Sequence, residues 1–103
     1  MSVSGVNIII AGAYEGAKIE ERSYNSGIVE VVTKSGFFSR TVHATFDGNH
    51  VEAMTIINRG KEYGDLLVEL DMRTVEVVWK NGQKSLIKVT APLYDKMLAG
   101  MYR

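Results

Sequence analysis

The sequence predicts a mainly β (α+β) fold, an antiparallel barrel or strongly bent sheet of about seven strands with one C-terminal α-helix. Three observations point there. Short β-branched runs recur from Val6 to Val89 with the alternation of half-buried strands. Glycines stand in nearly every gap: Gly12 and Gly16, Gly27, Gly36, Gly48, Gly60 and Gly64, and Gly82, as tight connections require. Only after Thr90 does the apolar period become that of a helix.

The expected strands are residues 6–11, 17–22, 28–33, 37–45, 51–58, 66–70, 74–79 and 85–89. The first is apolar at successive positions, which predicts a strand covered on both faces, either central or under the helix. Along 51–58, Met54 and Ile56 share one face and Ala53, Thr55 and Ile57 the other. Val75, Val77 and Trp79 line one side of their strand, with Thr74, Glu76 and Val78 opposite. Asp71-Met72-Arg73 interrupts the pattern, so residues 66–79 form either one bent strand or two.

In "WKNGQKSLIKV" a two-residue Asn81-Gly82 loop would pair Trp79 with Lys84. A three-residue loop ending in a left-handed Gly82 pairs Trp79 with Gln83 and Val75 with Ile87. The second register is expected, because a one-residue slip turns apolar side chains to the wrong face. It puts Ile87 and Val89 beside Val75, Val77 and Trp79, and Glu76 among Lys84 and Lys88. Thr90 then suits an N-cap and Pro92 the first helical turn, where its missing N–H costs nothing. Leu93, Met97 and Met101, with Tyr94 and Leu98 beside them, form one apolar stripe. A helix of about a dozen residues is marginal alone and must dock.

The 103 residues fit one domain, 1–103, and 46% hydrophobic with 23% charged residues allow a packed core. The absence of cysteine removes disulfides, thiolate chemistry and Cys-based zinc sites. The longest apolar run, Ile8 to Ala11, is too short to cross a bilayer, and no secretory signal is visible. A cytoplasmic protein is expected. Twelve basic residues balance twelve acidic ones, so the bulk attraction of a nonspecific nucleic-acid binder is missing. Residues 73–103 nevertheless hold six basic against two acidic side chains. Such a split gives either two electrostatic poles or neutralisation across a sheet.

"GAYEGAKIEER" after the apolar first strand, "VEAMTII", and the "VWKNGQKSLIKV" hairpin before the helix resemble small bacterial proteins with a pleckstrin-homology-like (PH-like) barrel. The resemblance covers about half of the chain. It implies seven antiparallel strands closed by the helix, and basic residues near the hairpin where lipid-binding relatives hold head groups. Those relatives often carry a glycine- and alanine-rich central hairpin, whose place is taken here by "NRGKEYGD", read as a short polar loop with Arg59 and Lys61 as ordinary loop charges. The stretch "VEVVTKSGFFSRTVHATFDGN" resembles an Sm-like RNA-binding barrel, but those proteins begin with a helix and end on strands.

No constellation for catalysis stands out. His43, Asp47 and His50 supply three metal-ligand types but lie on a strand, a turn and a new strand, so neither a metal nor any other cofactor is expected. Glu20-Glu21 and Glu69/Asp71 are not placed as an acid–base pair, and no phosphate loop or nucleophile elbow is present. An enzyme is not expected. The candidate binding residues are Phe37 and Phe38, of which opposite-facing strand neighbours would expose one; Arg40 as a rim to that contact; Lys80, Lys84 and Lys88 around the hairpin; and Tyr102 on the outer side of the helix. The first functional expectation is a non-catalytic module, bacterial or phage-encoded, that binds another protein and self-associates, using an exposed Phe, the helix or an unpaired sheet edge. The second is a peripheral binder of an anionic lipid or ligand at a membrane surface through the lysines. The third is an RNA-binding barrel.

Overall fold

A computed structural model describes residues 6–37, 39–63 and 68–102. Seven strands, β1 (Ile8–Gly12), β2 (Lys18–Glu21), β3 (Val29–Ser35), β4 (Ser39–Thr45), β5 (Val51–Tyr63), β6 (Glu69–Trp79) and β7 (Lys84–Thr90), precede one helix, α1 (Ala91–Gly100). They form a single antiparallel sheet in the order β4-β3-β2-β1-β7-β6-β5. β4 and β5 end that order without pairing, so the sheet is open and not a closed barrel. Ile19 and Val31 from one half nevertheless share a core with Val75, Val77 and Ile87 from the other, which requires the sheet to curl over itself.

Alternation decides which side chains enter that core. Val75, Val77 and Trp79 are buried along β6 and Ile87 and Val89 along β7, as the pattern predicts. Val75 pairs with Ile87, and Trp79 N–H donates to the Gln83 carbonyl at 2.8 Å, so the three-residue loop is the one formed. Gly82 closes it at φ +88°, where an L side chain is strained. The Trp79 indole N–H donates to Ser85 Oγ at 2.8 Å, and that hydroxyl donates to the Ala13 carbonyl at 2.6 Å. Tyr14 and Phe46 each bring a ring to 5.4 Å from the indole. α1 packs against β3, β6 and β7 and buries Tyr94, Met97 and Gly100.

Several expectations are corrected. β1 is central, but Ile10 is 42% exposed, because α1 covers only the inner face of the sheet. Residues 69–79 form one strand, with Arg73, Met72 and Asp71 opposite Arg59, Gly60 and Lys61; the expected start at 66 lies outside the described residues. β5 correspondingly runs through Tyr63, and the supposed loop charges Arg59 and Lys61 are strand residues. This end of the hairpin extends past the core, so its backbone stays paired while its side chains lose the apolar alternation. β4 begins at Ser39, which leaves Phe37 in the turn rather than on a strand. Thr90 occupies the N-cap without a side-chain cap bond; its N–H instead takes Asn7 Oδ1 at 3.0 Å. Leu98, assigned to the buried stripe, is 37% exposed.

The uneven charge resolves into neutralisation across the fold. Lys80 lies 3.4 Å from Glu52, Lys88 meets Glu62 at 2.5 Å, and Lys96 meets Glu21 at 2.8 Å. Each pair joins the basic C-terminal segment to the acidic remainder. Among the described residues no helix is long and apolar enough to cross a membrane.

Candidate protein-docking groove

β5 pairs with β6 on one side and, among the described residues, with no strand on the other. Register shifts between Val51 and Ala53 and between Ile56 and Asn58 insert an extra residue, Glu52 and then Ile57, and turn the local edge. Between the two bulges Met54 and Ile56 face inward but are only half-buried, while Ala53, Thr55 and Ile57 are exposed. The last turns of α1 run alongside. Leu98, Met101 and Tyr102 with Glu52, Ala53 and Met54 line a groove of about 350 Å³. Its walls mix the aliphatic Ala53, Met54, Leu98 and Met101 with the polar Glu52, and Tyr102, 84% exposed, stands at its rim.

The helix is held beside β5 by close packing and by charge. A Cβ on Gly100 would lie 2.4 Å from the Phe46 carbonyl oxygen, so only glycine lets the helix approach this closely. On the far side of the helix Glu21 accepts from Lys96 Nζ at 2.8 Å and from the Gly27 N–H at 2.7 Å. The Lys96 hydrogen bond, then that of Gly27, holds the Glu21 carboxyl below its ordinary range. With Met97 fully buried between these anchors, Leu98 and Met101 are carried to the β5 side.

The sequence-predicted candidates do not form one site. Phe37 sits at the β3–β4 turn, 98% exposed; Phe38 lies outside the described residues. The Arg40 guanidinium bonds Glu30 Oε1 at 3.0 Å and lies 3.8 Å from Glu20. Arg22 reaches Glu30 Oε2 at 2.6 Å, and Lys34 reaches Glu20 at 2.8 Å. Two glutamates directly opposed on β2 and β3, Glu20 and Glu30, are thereby neutralised by three cations. Hydrogen bonding from Arg22 holds the Glu30 carboxyl below its ordinary range against the upward push of burial, with Arg40 adding to it. Lys80 and Lys88 are committed to Glu52 and Glu62, the latter as an ion pair off the line of a hydrogen bond. Lys84 is the one member of that trio without an anionic partner among the described residues.

Burial pushes the Asp47 carboxyl up, but hydrogen bonds from His50 and the Asn49 N–H bring it below its ordinary value. Asp47 Oδ1 accepts from the Asn49 N–H at 2.9 Å and lies 2.8 Å from His50 Nδ1, the arrangement of a turn. His43 instead bonds Thr33 Oγ1 at 2.8 Å and lies near the Tyr14 ring. The three do not converge, and the described residues contain no cluster of three metal-ligating side chains. Tyr102 alone among the candidates joins the groove. The sequence places Leu98 and Met101 on the docking stripe of the helix and Met54 on a strand face shared with Ile56; the signal for the groove is the breadth of that stripe. No family model, curated protein or solved structure matches the chain.

Proposed function

We propose that the chain is a non-catalytic protein-interaction module of PH-like type, which binds an extended segment of another protein along β5 and seats an apolar side chain in the groove beside α1. The observation that carries this is the juxtaposition of a 13-residue edge strand, one side of which has no strand neighbour among the described residues, with half-buried Met54 and with Leu98 and Met101. Strand addition uses these two parts: main-chain hydrogen bonds supply affinity and side-chain pockets select. β4, the other edge, is shorter, at 7 residues. The strand order and terminal helix support the PH-like reading. A cytoplasmic setting belongs to the same proposal and suits a cysteine-free chain. The lipid alternative is weakened because two of its three lysines already face carboxylates.

The test is selection from a displayed random library of twelve-residue peptides, followed by affinity measurement on surface variants. Ala53→Arg and Leu98→Glu change exposed positions, so both should melt within a few degrees of the wild type yet weaken selected peptides at least ten-fold. Selected peptides indifferent to both variants would remove β5 and α1 as the docking site.

A further inference from the structure

Resting on the proposed strand addition, the geometry points to a partner segment that is acidic in its first half and aliphatic in its second; we infer that its carboxylates dock on Arg59 and Arg73.

β5 changes chemistry along its length. Its first part, bounded by Val51 and Ile57, contributes Ala53 and Met54 to the groove; its second part carries Arg59 and Lys61. Arg59 is directly opposite Arg73 on β6. Like charges at a directly opposed cross-strand position are destabilising, and the rest of the sheet avoids leaving them unbalanced: Glu20 opposite Glu30 is compensated by Arg22, Arg40 and Lys34. Lys61, one step along, has Asp71 opposite and Glu69 at 3.3 Å. For Arg59 and Arg73 no carboxylate partner is present among the described residues; Arg73 bonds only the Met72 carbonyl, at 3.1 Å. A carboxylate from a strand laid on the β5 edge would oppose Arg59 directly and relieve this pair.

Strand direction fixes the order. Antiparallel addition is the more stable pairing, and it sets the start of the incoming segment against Arg59 and Lys61 and its end against Met54 and Leu98. A second copy of the chain is a poorer occupant. A two-fold pairing of β5 centred on Gly60 opposes Arg59 to Lys61, and one centred on Lys61 opposes that residue to itself. Centring near Ile57 leaves Arg59 and Lys61 facing Thr55 and Ala53, with no anion supplied.

Two capped twelve-residue peptides of identical composition test the inference by titration calorimetry against the full chain. One alternates glutamate with threonine over its first half and valine with threonine over its second; the other has the halves exchanged. The acidic-first peptide is expected to bind at least ten-fold more tightly, to weaken with added salt, and to lose its preference on Arg59→Glu. Equal affinity for both orders, a preference that survives Arg59→Glu, or binding of neither peptide would overturn it. So would exclusion of both by a dimer of the chain seen in light scattering. If display-selected segments still respond to Ala53→Arg while showing no acidic-first order, strand addition stands and this inference alone fails.

Discussion

Glu30 shows how one residue's surroundings set its contribution. Alternation along β3 sends Val29 and Val31 into the core and turns Glu30 to the opposite face, where it is nonetheless only 1% exposed because Arg22 and Arg40 close over it. Its folded-state pKa is depressed from an ordinary value near 4.5, so it contributes stability that is fully present above that value and lost as pH falls through the depressed one. Urea midpoints measured from pH 7 to pH 2 should therefore be level near neutrality and decline below about pH 4.5. Glu30→Gln should lower stability at pH 7 by about 2 kcal/mol, the range of hydrogen bonds to charged groups, since the partly exposed arginines regain water. It should also flatten the acid decline. Parallel declines in the two proteins would show that Glu30 does not govern the acid limb.

At the scale of elements, the contact between α1 and the β4–β5 connection is set by a missing methyl group. Gly100→Ala ought to gain about 1 kcal/mol from helix propensity alone, yet the new Cβ would stand 2.4 Å from the Phe46 carbonyl. Overpacking of this kind costs about 1–3 kcal/mol, and a backbone oxygen cannot swing aside like a side chain. The clash should win, lowering the melting temperature by several degrees and moving Leu98 and Met101 away from β5. A raised melting temperature would mean the helix sits less tightly than described. Such contacts lie beyond what a sequence displays. Seven strands, the hairpin register and the helix start were legible because period-two alternation, the Asn81-Gly82 turn and Pro92 each report local geometry. The β5 extension was not, since "NRGKEY" pairs its backbone outside the core and shows no apolar period. Phe37 was misplaced for a related reason: a turn between two strands can hold a large apolar residue, and composition alone does not tell turn from strand. Tyr102 was legible as an aromatic residue on the outer side of the helix, whereas the groove beside it needs two elements distant in sequence.

Across the whole molecule, an open curled sheet and a charge-balanced surface bear on function together. Three basic side chains of the C-terminal segment, Lys80, Lys88 and Lys96, are paired with acids of the preceding strands, and two of the three lysines around the hairpin are thereby engaged. Among the described residues β5 brings together an open strand edge, a half-covered aliphatic strip and, opposite β6, two facing arginines. Amide hydrogen–deuterium exchange of the full chain, with and without a display-selected peptide, tests this most directly, because strand addition must protect N–H groups that the free edge leaves to solvent. The account predicts slowed exchange within 51–63 and at 98–102, with the hairpin 80–88 and the turn around Phe37 unchanged. Protection at the hairpin or the Phe37 turn, with β5 exchanging as in the free protein, would contradict it.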